Sequence, residues 1–148
     1  MKRNGKMVIL IADDDDDDRV LLRQALMSAS FDGIIEFVEN GEQLIQYLDA
    51  CLRGEPDAPP APALLLVDLN MPIVNGLEAL KQIKSSAHYR HLPVVILTTS
   101  SAEQDIRESY NLGAASFVTK PITFSQLVET MNALQSYWLG TVRLPRQF

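Results

Sequence analysis

The chain has 148 residues, 47% of them hydrophobic, with 13 basic and 19 acidic side chains and a formal charge of −6. It is long enough for one domain with a proper core, and its longest apolar runs, Met7 to Ala12 and Ala63 to Val67, fall far short of the ~20 residues a membrane span needs. A lone cysteine, Cys51, excludes an intrachain disulfide and agrees with a reducing cytoplasm; Lys2, Arg3 and Lys6 precede an apolar run too short for a signal peptide.

The first predicted element is a short buried strand, Met7 to Ala12, which runs directly into the six aspartates Asp13 to Asp18. Without that run the charge balance is 13 basic to 13 acidic (19 − 6), so the acidity is local. No basic stripe argues for direct binding to nucleic acid. Two like charges ~4 Å apart repel by roughly 4 kcal/mol at an effective dielectric of about 20, so the cluster must splay into water or hold a cation. An all-oxygen cluster favours a hard ion, Mg²⁺ first. Asp13 and Asp14, at the strand end, are the metal candidates. Asp15 to Asp18 are expected to cap and solvate the first turn of a helix. A calcium loop starting at Asp13 fails, because Asp18 stands where Gly is needed and Gln24 where Glu is needed.

Further along, Ile34 to Val38 reads as a strand, and Asn40-Gly41 introduces a helix over about Glu42 to Leu52. Arg53 to Pro62, with Gly54, Pro56, Pro59, Pro60 and Pro62, is an exposed loop. Leu64 to Val67 is the third strand and ends at Asp68, and Asn75-Gly76 precedes a helix over Leu77 to Ser85. His88 and His91 lie in a polar link with no further ligand in view. Val94 to Leu97 forms the fourth strand, followed by Thr98 and Thr99; Ser101 and Gln104 offer a capping box for a helix carrying Ile106 and Tyr110. Ser116 to Thr119 is the fifth strand, followed by Lys120. Thr123 and Gln126 open a last helix whose Phe124, Leu127, Val128, Met131, Leu134 and Trp138 recur at helical spacing.

Five apolar runs alternating with amphipathic stretches predict an α/β fold: a doubly wound five-stranded parallel sheet with helices on both faces. The chain reads as one domain over residues 1–148, with a core at about 7–137 and a tail at 138–148 too short for a second module.

In such a sheet ligands bind outside the carboxyl ends of the strands. Asp13, Asp14, Asp68, Thr98 and Lys120 all stand at those ends. Together they suit a phosphoryl group: carboxylates hold the cation, Asp68 is a nucleophile able to form a mixed anhydride, Lys120 neutralises phosphoryl oxygens and Thr98 donates a hydrogen bond.

This set resembles the receiver domain of two-component response regulators: Asp13-Asp14, Asp68 within Leu66-Val67-Asp68-Leu69-Asn70-Met71-Pro72, Thr98 and Lys120-Pro121. The separations of 30 residues from Asp68 to Thr98 and 52 from Asp68 to Lys120 are those of the family, and Pro72 and Gly76 fall where its loop has them. The resemblance implies a flavodoxin-like strand order 2-1-3-4-5 and a Mg²⁺ ion, with Mn²⁺ as an alternative. It implies Asp68 as phosphoacceptor, Asn70 as a metal ligand through its backbone carbonyl, a cis Lys120-Pro121 peptide and Phe117 as a switch aromatic that follows Thr98. Side chains near the acceptor, Asn70 and Ser100, would tune the phosphoryl lifetime. The partner would be a sensor histidine kinase, in the cytoplasm. The Pro-rich insertion, Leu97-Thr98-Thr99-Ser100 and the ending from Ser136 to Pro145 resemble stand-alone regulators paired with phytochrome-type kinases. Those regulators dimerise through the fourth helix, fifth strand and fifth helix. The chain would then be a phosphoacceptor and not an enzyme in the ordinary sense. A Mg²⁺-dependent phosphohydrolase with an aspartyl nucleophile is the rival, but it needs a late acidic pair and none follows Lys120.

Overall fold

The computed structural model describes residues 6–145; Lys2 and Arg3 before the first strand, and Arg146 in the tail, lie outside the described residues. Elements alternate as β1 Val8–Ala12, α1 Asp16–Ser28, β2 Ile34–Val38, α2 Gly41–Arg53, β3 Leu64–Val67, α3 Gly76–Ser85, β4 Val94–Thr98, α4 Glu103–Asn111, β5 Ser116–Thr119 and α5 Phe124–Ser136. The sheet is parallel throughout, in the order β2-β1-β3-β4-β5. The three central strands are buried along their whole length, which is why they read as unbroken apolar runs. The edge strands β2 and β5 are only half-buried and carry Glu36, Ser116 and Thr119.

Two apolar layers cover the sheet. On one face Leu22, Ala25 and Leu26 of α1 and Leu127 and Met131 of α5 pack on Ile9, Ile11, Leu64, Leu66, Val95 and Leu97. On the other, Leu44 and Leu48 of α2 and Ala79, Leu80 and Ile83 of α3 pack on Leu10, Leu65, Val67, Val94 and Ile96. Neighbouring strand residues thus serve opposite layers, as the pleat requires. Helix α4 is the exception, burying only Ser109.

Most helix starts follow the sequence. The side chains of Asn40, Asn75 and Thr123 accept from Gln43, Glu78 and Gln126 N–H, and Asn75 with Glu78 completes a reciprocal capping box. The expected box at Ser101 and Gln104 does not form. The N-cap of α4 is Ala102, which has no polar side chain, and Ser100 takes over from one residue further out by accepting the Ala102 N–H at 3.2 Å. The Lys120-Pro121 peptide is trans, not cis; an X-Pro bond accepts either form within about 1 kcal/mol, so the dipeptide alone does not choose.

After α5 the chain makes a π-helical turn, Tyr137–Thr141, that folds Trp138 and Leu139 against the α1/α5 layer, so the core extends past residue 137. The Pro-rich loop is tied to α2: Tyr47 Oη donates to the Pro60 carbonyl at 2.7 Å, and Cys51 Sγ to that of Pro59 at 3.4 Å. Burial pushes the Cys51 thiol up to about 11. At pH 8 the folded protein is therefore expected to resist iodoacetamide while the urea-unfolded chain is alkylated, with intact mass as the readout; rapid labelling of the native protein would contradict this packing.

Candidate functional site

The last rung of the parallel ladder fixes each site residue. Asp13 N–H donates to Val38 O at 3.0 Å, Asp68 N–H to Ala12 O at 3.0 Å and Lys120 N–H to Thr98 O at 2.7 Å. Side chains one residue beyond neighbouring strands therefore converge on one edge of the sheet. Thr98, the last residue of β4, is fully buried there.

The convergence centres on the Lys120 ammonium. Its three donors meet three carboxylates: Asp13 Oδ2 at 2.8 Å, Asp18 Oδ2 at 2.8 Å and Asp68 Oδ2 at 2.9 Å. Burial disfavours the charged ammonium, but the hydrogen bonds from these carboxylates outweigh it and hold Lys120 above the usual lysine range. Asp13 is 1% exposed, and burial, partly opposed by Lys120, pushes its carboxyl above its ordinary value.

Asp13, exposed Asp14 and Asp68 each present an oxygen within 4.8 Å of the others, and they form the one such group found among the described residues. An all-oxygen donor set with two buried carboxylates, Asp13 and Asp68, suits a hard divalent cation. Asn70 donates its N–H to Asp68 Oδ1 at 3.3 Å. His88 and His91 join no such group.

The loop from Asp68 to Gly76 folds back tightly. Ile73 takes a positive φ of 68° as Val74 N–H reaches Pro72 O at 2.8 Å, a strained three-residue turn. Gly76 donates to Leu69 O, and a Cβ on it would lie 2.2 Å from Asp68 O. Only glycine lets the start of α3 approach the loop after Asp68 this closely.

Asp18 is the residue that sequence reasoning placed elsewhere, among the solvated helix-starting acids. Asp15 is indeed the N-cap, accepting from Asp18 N–H at 3.0 Å. In a reciprocal cap the third helical side chain returns to the N-cap N–H. Here Asp13 Oδ1 already accepts that N–H at 3.0 Å, so the Asp18 carboxylate is left for Lys120. A first aspartate able to satisfy the cap was the available signal. Arg19, also unanticipated, donates to Asp13 O at 2.6 Å and pairs with Asp16. Phe117 is half-buried against the α2/α3 layer and donates its N–H to Tyr110 Oη at 3.1 Å.

The family model for the response regulator receiver domain matches residues 9–132. The chain belongs to this family. It is 36% identical over 145 residues to the probable methanogenesis regulatory protein FilR2 of Methanothrix harundinacea, covering 98% of this chain and 92% of that one. It is 34% identical over 142 residues to response regulator Rcp1 of Synechocystis, covering 96% and 95%. A response regulator Rcp1 solved in its Mn²⁺-bound form aligns with a TM-score of 0.81 at 32% identity over 95% of this chain and 99% of that one. The phosphorylated cyanobacterial phytochrome response regulator RcpA aligns at 0.84, with 33% identity over 96% and 100%. Receiver domains act in two-component signalling with histidine kinases, and they hold a divalent metal in their acidic pocket. In this one no helix among the described residues is long and apolar enough to cross a membrane.

Lys120→Met would leave three carboxylates without their cation, and a loss of roughly 3 kcal/mol is expected in urea unfolding without divalent ions. Because Lys120 is raised above 10.5, its contribution is intact below that pH and lost only as pH rises through the higher folded value. The deficit should thus be flat from neutral pH to about pH 9. Adding Mg²⁺ should recover part of it; a variant as stable as wild type would show that the three-way pairing carries no net energy.

Proposed function

We propose that this receiver domain accepts a phosphoryl group on Asp68 from a histidine kinase. The observation that carries the reading is that Asp68 shares one oxygen with the Lys120 ammonium at 2.9 Å while presenting an oxygen to the carboxylate group of Asp13 and Asp14. A divalent ion, Mg²⁺ or Mn²⁺, held by Asp13, Asp14, Asp68 and the Asn70 carbonyl, would neutralise charge on the transferred group. An Asp68 oxygen attacks phosphorus, the P–N bond to the donor imidazole breaks, and the imidazole leaves with the electron pair. Lys120 exchanges its bond to Asp68 for one to a phosphoryl oxygen while Asp13 and Asp18 keep it in place. Thr98 then donates to another phosphoryl oxygen, and Phe117 follows.

The chain spans 92% and 95% of FilR2 and Rcp1, which supports a single-domain regulator that acts by protein contact, and the family's histidine-kinase partners support a cytoplasmic setting. The output surface is α4, β5 and α5. Helix α4 is thinly anchored, with Tyr110 and Phe124 exposed near this face. This surface, with the tail, would bind a second copy. Likeness to RcpA supports a phytochrome-type kinase as the sensor.

With Mg²⁺ and acetyl phosphate, wild type is expected to gain one phosphoryl group by intact mass and Asp68→Asn none. Failure of wild type with that donor and with candidate kinases would sink the phosphoacceptor reading, and multiple turnover of phosphoesters would favour a hydrolase. Light scattering on the same samples should give a dimer mass. A monomer at every working concentration, phosphorylated or not, would remove the dimer.

A further inference from the structure

Ser100 is the most heavily bonded residue of the loop between β4 and α4. Its N–H donates to Thr98 Oγ1 at 3.4 Å, its carbonyl accepts from Thr119 Oγ1 at 3.1 Å, and its hydroxyl accepts the Ala102 N–H at 3.2 Å. The one hydroxyl proton goes to Asp105 Oδ2 at 2.6 Å. That bond is charge-assisted and half-buried, which makes it the strongest of the four. Asp105 is in turn built into α4, where its carbonyl accepts from Ser109 Oγ at 2.7 Å, and Ser109 is the one residue that α4 buries. Thr98, its loop, β5 and α4 are thereby joined through a single serine. The Asp105 carboxylate also lines a cavity of about 480 Å³ with Leu69, Asn70 and Met71 of the acceptor loop, so there is open space beside the contact.

We propose that Asp105 is a positioning residue that, through its bond to Ser100, latches the β4–α4 loop and so sets how readily Thr98 leaves its present position. The consequence for phosphorylation rests on the phosphoacceptor reading; the latch itself does not. Thr98 cannot move toward Asp68 as a side chain alone, because Ser100 N–H is bonded to its oxygen and the Ser100 hydroxyl is bonded to α4. Breaking the Asp105 contact releases both. The unphosphorylated population then shifts toward the displaced loop, and a small phosphodonor meets the competent form more often.

Asp105 also lies in the first turn of α4, where any carboxylate favours the helix dipole. Asp105→Asn separates the two roles, since it removes the charge and keeps the oxygen that accepts from Ser100. Amide hydrogen exchange of unphosphorylated protein at Ser100 and Ala102 should accelerate on the order of tenfold in Asp105→Ala and by clearly less in Asp105→Asn, which keeps a neutral form of the bond. Phosphoryl gain from acetyl phosphate should quicken several-fold in Asp105→Ala, and the same substitution in a Ser100→Ala background should add nothing further. Wild-type exchange in Asp105→Ala, equal effects of Ala and Asn, or full additivity with Ser100→Ala would each overturn the latch. A wild type that takes no phosphoryl group would instead sink the phosphoacceptor reading, and the exchange data would still decide the latch.

Discussion

The ammonium of Lys120, shared among three carboxylates at 2.8 to 2.9 Å, is the interaction on which the rest of the site depends. It draws together the ends of β1, β3 and β5 and the start of α1. Asp13 is almost wholly buried and Asp68 nearly so, and burying carboxylates without a paired cation is costly. A lysine reaching across from β5 satisfies both with one point charge. Its position leaves the outer side of Asp13, Asp14 and Asp68 open for a second, divalent charge. Asp13 and Asp68 therefore belong both to the Lys120 pairing and to the acidic group that suits a divalent cation.

That arrangement is possible because the sheet is parallel and its ladder runs one residue past each strand. The amides of Asp13, Asp68 and Lys120 are bonded to the neighbouring strand, so the ladder fixes where their side chains start. Gly76 then allows the loop after Asp68 to close beneath the start of α3. The far side of the site is held differently. Helix α4 contributes almost nothing to the apolar layers, and the hydroxyl, carboxylate and amide bonds around Ser100 do the holding there. Polar bonds of this kind can be exchanged at small net cost, whereas a packed apolar face cannot.

The aspartate run illustrates how one composition divides into several jobs. Asp13 is buried against Lys120 and closes the cap of α1; Asp14 faces solvent within the metal group. Asp15 caps the helix, Asp16 pairs with Arg19, and Asp18 returns to Lys120. Beyond the first aspartate's ability to satisfy the cap, six identical side chains in a row offer little local clue to this division, because it follows from which way each helical or extended backbone position points its Cβ.

The sequence by itself determined the five strands, the doubly wound order of elements, the strand-end placement of Asp13, Asp14, Asp68, Thr98 and Lys120, and the receiver family. The elements and the strand-end placement rest on periodicity and order along the chain, and the family on the resemblance of the motifs, all of them properties of the chain read in one dimension. The tertiary structure decided that Asp18 completes the Lys120 pairing, that Ser100 and not Ser101 serves the start of α4, that Trp138 and Leu139 join the core, and that Lys120-Pro121 is trans. Asp18 and Lys120 are 102 residues apart, and a hydrogen bond between them leaves no trace in local pattern. Which of two adjacent serines meets a helix depends on where a neighbouring strand and helix have already been packed. Those choices exist only once the sheet has brought distant residues within hydrogen-bond reach.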